Sequence, residues 1–580
     1  MKLLKLEIGT LPEEKQFSSL HSGFKVEFHS LSNKGIKAMD TFSPFCFAGL
    51  NGSGKSNVLE ALSVIFFHLE CYVAKFKPKT FEKHFKPEEC RLDAFTLEYL
   101  IGQPNSPNYV IEEFDKITIT KEQDKAPIMF RQAFPFSNNE EITSVSLEPR
   151  FTDSPQPAEG KAYLPDIVIG YSSGENEILS IPFRKSRLIN FDKYIEDYSK
   201  NYQFEEPENS LIYIDNEMSQ AVLLACLLFE DEETLKPLRR ELGIVSFRSF
   251  RMNLVNIEMT VLYSNVKKPH LLNHIIEIIE KLKAIATCNY EQPEFKVSIG
   301  QNKYSTTLQN IVLDFHIDSE MIKAFKDIFP TSFDLFRFFQ VLYELNAHII
   351  SESTKEEVYK SKGFYTNGKV PEGSSEDKAF YFLDYLILKE IEGEIKPKEL
   401  LLREFSDGEH QFLHTMGICL MLKDRRSLLL LDEPETHFNP SWRAKFIKIL
   451  NDGIKAGSNN SKHIHLRKDI ILTSHSPFII SDCMPDNVIF FTRENETKKV
   501  EAKNATELGL NTYGSSVDYI LKNFFKTNLI SNKSFEELKE IIDNGSIDEL
   551  RNAVEYFGES SEKQFLFRKI YEKMENKDDK

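Results

Sequence analysis

Apolar and polar residues alternate near the N-terminus in the manner of β-strands, and the pattern then changes to that of a helix. Residues 1–8 and 24–29 alternate like strands, and residues 44–48 form a short apolar run that ends at a glycine. In residues 51–69 apolar side chains recur every three or four positions, which predicts an amphipathic helix. The pattern therefore predicts a strand, a glycine-containing loop and a helix in direct succession.

From residue 70 to about 390 the pattern is mixed. It predicts strands at 95–100, 116–120, 166–169, 211–214 and 256–263, and helices at 220–229 and 269–285. Polar stretches rich in Pro, Ser and Asn at 137–160 and 366–377 are typical of loops or linkers. The last part predicts a helix at 409–423, apolar strands at 427–431 and 469–473, and a charged helical tail after residue 511, with main segments 535–542 and 548–557.

Composition and charge narrow the class of protein. The 580 residues carry 72 Lys and Arg against 89 Asp and Glu, a net charge of −17, and 47 Phe against one Trp. This apolar content supports a packed core and excludes disordered, collagen-like and coiled-coil fibre classes. The acidic balance argues against a protein that coats DNA through its overall charge, although it leaves room for a local basic site.

Compartment is predicted from cysteines and apolar runs. Seven cysteines without a C-x-x-C pair argue against a disulfide framework or a cysteine zinc site. Residues 1–10 lack the pattern of a signal peptide. The longest clean apolar run, 221–229, is far shorter than the ~20 residues that span a bilayer. We therefore expect a cytoplasmic protein with no membrane partner.

The strand–loop–helix unit carries a phosphate-binding motif, G-x-x-x-x-G-K-S. Its glycines allow the backbone to curl so that successive N–H groups point at phosphate oxygens, at a helix N-terminus whose dipole favours an anion. The lysine of the motif is expected to reach the β- and γ-phosphates of ATP, and its serine to bind Mg²⁺. The predicted nucleotide-binding residues are Gly49, Leu50, Asn51, Gly52, Ser53, Gly54, Lys55 and Ser56.

A second element of the site is the apolar strand 427–431, which ends in two carboxylates. A continuous apolar run is typical of a strand buried on both faces, and ligand crevices form beyond the carboxyl ends of such strands. We expect Asp432 to bind Mg²⁺ directly or through water, and Glu433 to orient and polarise the attacking water. Because Asp432 lies so far along the chain from Lys55, a large insertion must split the nucleotide-binding domain.

Two further segments suggest phosphate contacts. Ser406 and Gly408 open a helix shortly before the strand that ends at Asp432, an arrangement that can bind an anion. His475 follows the next apolar strand after Asp432, where an imidazole can hydrogen-bond a γ-phosphate. Taken alone, the first segment would most often be a plain helix cap, and His475 a structural histidine.

The order and spacing of these motifs resemble those of ABC-type ATPase heads of the SMC/RecF group. Asn57, directly after G-K-S, and the segment E-T-H-F-N-P at 435–440 strengthen the resemblance, which covers roughly residues 1–69 and 405–485. It implies a split α/β P-loop NTPase head that binds ATP and Mg²⁺ and works as a dimer or higher oligomer. Asn57 would then join the nucleotide site, while Ser406 and Gly408 would contact the ATP of the other subunit. Asp407 departs from the family, which usually has a small residue there.

Three other features of the sequence have roles that the motifs do not assign. Residues 171–176, Y-S-S-G-E-N, offer a second candidate for the Ser-x-Gly signature, although no apolar strand ending in D-E follows closely. The longer stretch 164–194 resembles bacterial restriction-system-associated ATPases, relatives of the ATPase subunit of Septu-type anti-phage systems. The glutamine of a Q-loop has no clear position, and Gln103 is only a candidate.

The C-terminal part shows no nuclease motif, and nucleic-acid contacts have two candidate patches. The residues after His475 contain no D-x-D cluster and no further histidine, so we expect no Toprim or HNH-type nuclease there. Basic residues interleave with phenylalanines at Lys75, Lys77, Lys79, Lys83 and Lys86, and cluster again at Arg239, Arg240, Arg248 and Arg251. Such patches bind nucleic acid in some proteins and are plain solvated faces in others.

The leading hypothesis is an ATP-hydrolysing head that acts as sensor or motor in a prokaryotic anti-phage complex and gates a separately encoded nuclease. A RecF-like DNA-repair ATPase and an ATP-dependent scaffold that does not act on DNA are the alternatives. We expect an N-terminal lobe at 1–70, an insertion at 71–390 that partly completes the head and partly regulates it or binds a partner, a C-terminal lobe at 391–510, and a helical docking tail at 511–580.

Overall fold

The structure is a computed structural model of the 580-residue chain. It describes the chain apart from residues 14–15, 104–108, 138–139, 150–155, 175, 201–209, 256–269, 292–294, 300–303, 309, 362–377, 423–424, 457–462, 495–496, 498, 528–529 and 579–580. The predicted strand at 256–263 and the predicted loop at 366–377 lie outside the described residues.

The described strands are β1 (Lys2–Ile8), β2 (Lys25–Glu27), β3 (Phe45–Gly49), β4 (Phe95–Gly102), β5 (Phe114–Lys121), β6 (Ile128–Ala133), β7 (Ile142–Val145), β8 (Ile167–Ser172), β9 (Leu211–Tyr213), β10 (Ile244–Val255), β11 (Cys288–Glu291), β12 (Phe295–Ile299), β13 (Tyr304–Leu308), β14 (Asn310–His316), β15 (Phe380–Lys389), β16 (Lys398–Leu401), β17 (Ser427–Asp432), β18 (Lys468–Thr473), β19 (Val488–Arg493) and β20 (Val500–Asn504).

The described helices are α1 (Asn33–Met39), α2 (Lys55–Val73), α3 (Lys79–Glu82), α4 (Glu177–Lys200), α5 (Asn216–Phe229), α6 (Glu232–Leu242), α7 (His270–Ile285), α8 (Ser319–Ile328), α9 (Ser332–Leu345), α10 (Glu352–Lys360), α11 (Asp407–Met421), α12 (Pro440–Arg443), α13 (Phe446–Ala456), α14 (Pro477–Ser481), α15 (Val517–Ile520), α16 (Asn532–Asn544), α17 (Ile547–Tyr556) and α18 (Lys563–Asp578).

A seven-stranded sheet forms the centre of the molecule, in the order β20-β19-β3-β18-β17-β8-β9. All neighbours in it are parallel except the edge pair β19 and β20. The sheet joins strands from both ends of the chain, because β3 lies beside β18 and β19. The predicted split α/β P-loop NTPase fold is therefore confirmed, and β8 and β9 show that part of the long insertion completes this sheet.

Burial on both faces explains why β17 is an uninterrupted run of leucines. Leu428 and Leu430 join the core on the side of α2, whereas Leu429 and Leu431 join the core that includes α5 and α11. All six residues of β17 are buried. At roughly 25 cal/mol per Å² of buried apolar surface, each leucine contributes on the order of 2 kcal/mol. A polar residue on either face would leave an unpaired group in one of the two cores.

An antiparallel sheet of six strands, in the order β2-β1-β4-β5-β6-β7, packs on the other side of α2. Apolar residues all around α2 therefore contact a sheet on each side. This helix is long and apolar enough to cross a membrane by length and composition, but 83% of the relevant window is buried inside the protein. Its burial between the two sheets accounts for its apolar composition.

The rest of the insertion builds a second antiparallel sheet, in the order β11-β14-β10-β15-β16. Aromatic residues pack against one another on it: the rings of Phe250 and Phe315 stack with centroids 4.7 Å apart, and Phe380 and Phe382 meet edge to face at 4.9 Å. Such pairs each stabilise by about 0.5–1.5 kcal/mol beyond the area they bury. Much of the high phenylalanine content thus belongs to this insertion.

Most of the predicted elements lie within a few residues of observed ones, with two exceptions, whereas several elements of the insertion, among them α4, α9, β10 and β15, were not predicted. The stretch 137–160, predicted as a loop, contains β7, which pairs with β6. The helix predicted to begin at residue 51 begins at Lys55, because residues 51–54 form the phosphate-binding loop. In the tail, α16 and α17 match the predicted segments, and with α18 they form a small core of their own around Leu550 and Leu566.

Candidate functional site

Four parallel strands deliver their carboxyl ends to one edge of the central sheet. In spatial order these ends are Gly49 of β3, Thr473 of β18, Asp432 of β17 and Ser172 of β8. The loops that follow these strands therefore meet, although they come from widely separated parts of the chain. This is the edge at which parallel α/β sheets bind ligands.

The phosphate-binding loop has the backbone that its sequence predicts. Gly49, Gly52 and Gly54 have φ values of 147°, 73° and 98°, which side chains of L-residues rarely allow. A Cβ at Gly49 would lie 2.5 Å from the carbonyl oxygen of Phe491, so the neighbouring strand also requires glycine there. Gly54 caps α2, whose first N–H groups face the loop and can bind phosphate oxygens.

The Lys55 amino group lies inside this loop. Its Nζ donates to the carbonyl oxygens of Gly49 and Leu50, at 3.0 and 3.1 Å. Burial lowers the Lys55 pKa, and the nearby carboxylates of Glu433 and Asp432 oppose that shift. The side chain is therefore a buried cation close to two acids, as binding a triphosphate requires.

Asp432 is held by three donors. Its Oδ1 accepts from the hydroxyl groups of Ser56 at 2.9 Å and Thr473 at 2.7 Å, and its Oδ2 accepts from the amide of Asn176 at 2.7 Å. A hydroxyl and a carboxylate oxygen thus meet beside the phosphate-binding loop. Oxygen ligands with a single carboxylate suit Mg²⁺, which usually takes its other ligands from water and phosphates. Within the described residues, no group of three His, Cys, Asp or Glu side chains could bind a metal by itself.

Glu433 follows the strand in an unusual backbone conformation, with a φ of 48°. A left-handed residue other than glycine costs roughly 1–2 kcal/mol. Here its N–H donates to Thr473 Oγ1 at 2.9 Å, which holds the turn in place. The Glu433 carboxylate is 44% exposed and lies 3.5 Å from His475 Nε2, so it can reach a water molecule in the site.

His475 is half-buried next to this carboxylate. Burial, and then the positive charge of Lys55, lower its pKa to about 4, against the opposing effect of Asp432. At neutral pH the ring is therefore uncharged, and its 3.5 Å contact with Glu433 is not an ion pair. A neutral imidazole can still donate one hydrogen bond to an anion.

Ser406 and Gly408 lie at the start of α11. Ser406 caps the helix together with Glu409 in a reciprocal capping box. A Cβ at Gly408 would lie 2.6 Å from the carbonyl oxygen of His437, so the loop after β17 requires glycine there. Among the described residues, the hydrogen bonds of this helix start lie within α11 and its neighbours rather than with the phosphate-binding loop.

The structure therefore brings together Lys55, Ser56, Asp432, Glu433 and His475, but not Ser406 or Gly408. The nucleotide contact predicted for Asn57 stays a prediction. Its amide nitrogen donates to Glu60 at 2.8 Å and its amide oxygen accepts from Ser19 at 2.5 Å.

Sequence reasoning missed Asn176 and Thr473. Within the stretch 171–176, considered there as a second signature, Tyr171 and Ser172 are the last residues of β8. Beyond them, the N–H of Ser173 donates to the Asp432 carbonyl oxygen and Asn176 contacts the Asp432 side chain. The signal was present, because a predicted buried strand ends in this polar run. The Q-loop candidate Gln103 lies away from this edge: the adjacent Gly102 carbonyl accepts from Arg426, which precedes the opposite end of β17.

The arginine cluster is paired with carboxylates, and one lysine of the other basic patch also has a carboxylate partner. Lys77 lies 5.6 Å from the Phe85 ring centroid, Phe81 is buried, and Lys86 pairs with Glu89. In the arginine cluster each side chain has a carboxylate partner: the pairs are Arg239–Glu232, Arg240–Glu241, Arg248–Glu399 and Arg251–Asp314. This pairing favours the interpretation of the arginine cluster as ordinary solvated surface.

Comparisons with known proteins fit this site. Residues 334–481 match the family described as "AAA domain, putative AbiEii toxin, Type IV TA system", a span that includes Ser406, Asp432 and His475. The chain is 27% identical to Septu protein PtuA of Bacillus thuringiensis over 174 residues, which are 28% of this chain and 33% of that protein. The match thus spans about a third of the length of the relative.

Two solved structures are similar to most of the chain at low scores. One is the SmcHead bound to the C-winged helix domain of ScpA, with a TM-score of 0.30, 10% identity, and coverage of 88% of this chain and 99% of that one. The other is the Smc head domain with a coiled coil and joint from Pyrococcus yayanosii, with a TM-score of 0.27, 11% identity, and coverage of 90% and 99%. The chain resembles SMC- and ABC-type ATPases and, over part of its length, Septu proteins, as its motifs predict.

Proposed function

We propose that this chain is an ATP-hydrolysing, SMC-like head that pairs around ATP and gates a separately encoded effector in a prokaryotic anti-phage complex. One observation carries the ATPase part of the proposal. Residues from two distant parts of the chain meet at one sheet edge, where Ser56 Oγ and Asp432 Oδ1 lie 2.9 Å apart beside Lys55. A glycine turn with a chance motif would not require this convergence.

Each side chain has a role that its position supports. Lys55 and the N–H groups at the start of α2 bind and orient the triphosphate. Ser56 and Asp432 would hold Mg²⁺, which neutralises phosphate charge when it is bound. The exposed Glu433 carboxylate accepts a proton from the attacking water, and the neutral His475 ring donates a hydrogen bond to the terminal phosphate.

The proposal that two heads form a dimer around ATP is based on the position of Ser406 and Gly408 in the fold. These residues open α11, and their described contacts lie away from the phosphate-binding loop of the same chain. A second subunit would bring them to the nucleotide in trans. The motif resemblance is what suggests that arrangement, and the chain supplies only half of each composite site.

The defence role rests on the partial likeness to a Septu protein, and the tail offers a docking surface for an effector. The three tail helices have their own small core and leave large apolar side chains in solvent. The large apolar side chains exposed on α17 and α18 are Tyr556, Phe565, Phe567, Tyr571 and Met574. Apolar side chains exposed together commonly mark a protein interface.

The decisive test is ATP turnover of Glu433→Gln. Removing the carboxylate that accepts the proton should lower turnover by about 10²–10⁴-fold while ATP binding is kept. Glu536→Gln, a change of the same kind at an exposed tail position, serves as the matched control and should leave turnover unchanged. Wild-type turnover by Glu433→Gln would contradict the role of Glu433.

The same variant tests pairing and partners. With unhydrolysed ATP bound, Glu433→Gln should double in mass in light scattering, and adding Ser406→Arg to this variant should abolish the doubling. If Glu433→Gln is a monomer both with and without ATP, the trans arrangement is contradicted. The proteins that co-purify with Glu433→Gln, compared with a version lacking α16–α18, would show whether the tail recruits an effector.

A further inference from the structure

A polar cleft opens beside the nucleotide edge, one strand further along the sheet, with a volume of about 460 Å³. Its walls come from the loop after β8, the first turns of α5 and α11, the strand β15 and the loop after β17. Pockets of roughly 300–1,000 Å³ bind small molecules. The cleft is separate from the phosphate-binding loop, none of whose residues line it.

Hydrogen-bonding groups without partners face this cleft from two sides. Asn216 and Gln220 lie one turn apart on α5 and line it, and in the described part of the chain their amide groups make no hydrogen bond. From α11, His414 lines the cleft with 7% of its surface exposed, and its Nε2 is buried without a partner among the described residues. An unpaired buried group of this kind costs roughly 1–3 kcal/mol, and because this nitrogen is buried a ligand would pair with it only after the His414 ring turns toward the cleft.

The charges of the cleft disfavour a phosphate ligand. Arg403 is paired with Asp384 at 3.0 Å, and Asp407 adds a negative charge that no other cation among the described lining residues balances. Burial lowers the pKa of His410, and that of His414 to about 3, so both imidazoles are neutral at pH 7. The cleft therefore offers neutral donors and acceptors instead of positive charge.

The cleft also contains flat imidazole rings that a planar ligand could contact. His410, Gln411 and His414 follow each other on one face of α11, and the two imidazole centroids are 5.8 Å apart. The largely buried residue Tyr171 also lines the cleft. Aromatic and imidazole rings stack on nucleobases, and Asn and Gln amides pair with the donor and acceptor edge of a purine.

From this combination we infer that the cleft binds an uncharged purine base or nucleoside, at a site separate from the phosphate-binding loop of the same chain. The size of the cleft, its imidazole rings, its available amides and the lack of an unpaired cation among its described lining residues fit such a ligand. A triphosphate would meet the Asp407 carboxylate, and the one arginine among the described lining residues is already paired.

The cleft is coupled to the proposed catalytic loop through Gln411. The Gln411 amide nitrogen donates to the Glu433 carbonyl oxygen at 3.5 Å, and its amide oxygen accepts from the His437 N–H at 2.9 Å. A ligand that moves Gln411 would shift the turn that carries Glu433. This regulatory consequence rests on the proposed ATPase function, whereas binding itself does not.

Calorimetric titration of the full chain with adenosine and guanosine, in the absence of ATP, tests the inference. We expect one saturable site per chain for a purine nucleoside and none for ribose 5-phosphate. Affinity should fall at least tenfold in Asn216→Leu and in His414→Phe, which keeps a ring in the buried position. It should change less than twofold in Lys55→Ala and in Gln564→Leu, an amide-to-leucine control on an exposed helix position of the tail.

Three results would overturn the inference: no saturable binding of either nucleoside, equal binding by the cleft variants and the wild type, or loss of binding in Lys55→Ala. The last would place the nucleoside in the phosphate-binding loop. Because no ATP is present, a chain that fails to hydrolyse ATP could still pass this test, so the two proposals fail independently. Circular dichroism of Asn216→Leu and His414→Phe would verify that both variants are folded.

Discussion

Thr473 links the two acids of the proposed catalytic edge, and its replacement by valine is the sharpest test of how that edge is built. Its hydroxyl donates to Asp432 Oδ1 at 2.7 Å and accepts from the Glu433 N–H at 2.9 Å. Valine has nearly the same shape, so the change removes the two hydrogen bonds and little packing. Thr473 is fully buried, and water cannot replace what is lost.

The expected loss follows from those two bonds. A hydrogen bond to a charged carboxylate contributes about 1.5–3 kcal/mol, and a buried N–H left unpaired costs about 1–3 kcal/mol. Asp432 retains its bonds from Ser56 and Asn176, so we expect a net loss of roughly 2–4 kcal/mol. Glu433, no longer held at a φ of 48°, should relax toward an ordinary backbone conformation and leave its position facing the site.

Two assays check this. Urea unfolding followed by fluorescence of Trp442, whose ring lies 5.3 Å from that of Phe412 in the head, should show a lower midpoint for Thr473→Val. ATP turnover should fall at least tenfold with ATP affinity changed little, because the phosphate-binding loop is untouched. Thr473→Ser retains the hydroxyl and should recover most of both losses. A Thr473→Val protein with wild-type midpoint and turnover, or a serine variant no better than valine, would refute the reasoning.

Two other predictions concern stability. Gly408→Ala should lower the unfolding midpoint by an amount equivalent to about 1–3 kcal/mol, because its Cβ would lie 2.6 Å from the His437 carbonyl oxygen; a midpoint equal to wild type would show that the loop yields freely. Burial alone would raise the pKa of Asp469, but the positive charge of Lys2 and the hydrogen bonds from His29 and the Leu3 N–H hold that pKa well below the ordinary value. A depressed carboxyl pKa stabilises the fold above the unfolded value of about 3.9, and that stabilisation is lost as pH falls through the folded pKa. Wild-type stability should therefore drop on acidification below about pH 4, and Asp469→Asn, although less stable at pH 7, should show a smaller drop over the same range. Equal acid sensitivity of the two proteins would contradict this assignment.

Local features of the sequence were enough to predict the phosphate-binding loop and the two acids after β17. The glycines at 49, 52 and 54 stand where the backbone must adopt positive φ, and a run of four leucines fits only a strand covered on both faces. These features depend on backbone sterics and burial, which act over a few neighbouring residues. The split of the domain also followed directly, because Lys55 and Asp432 stand near opposite ends of the chain.

Tertiary structure alone decided which distant side chains complete the site. Asn176 and Thr473 have no motif of their own, and they act on Asp432 because β8 and β18 are the two strands beside β17. The pairing of the arginine cluster with carboxylates and the cleft between α5 and α11 likewise depend on which elements pack together. Strand order is set by the sum of many weak contacts over the whole core, so no short stretch of sequence carries it. The sequence by itself determined the chemistry at each strand end, and the sheet determined which strand ends became neighbours.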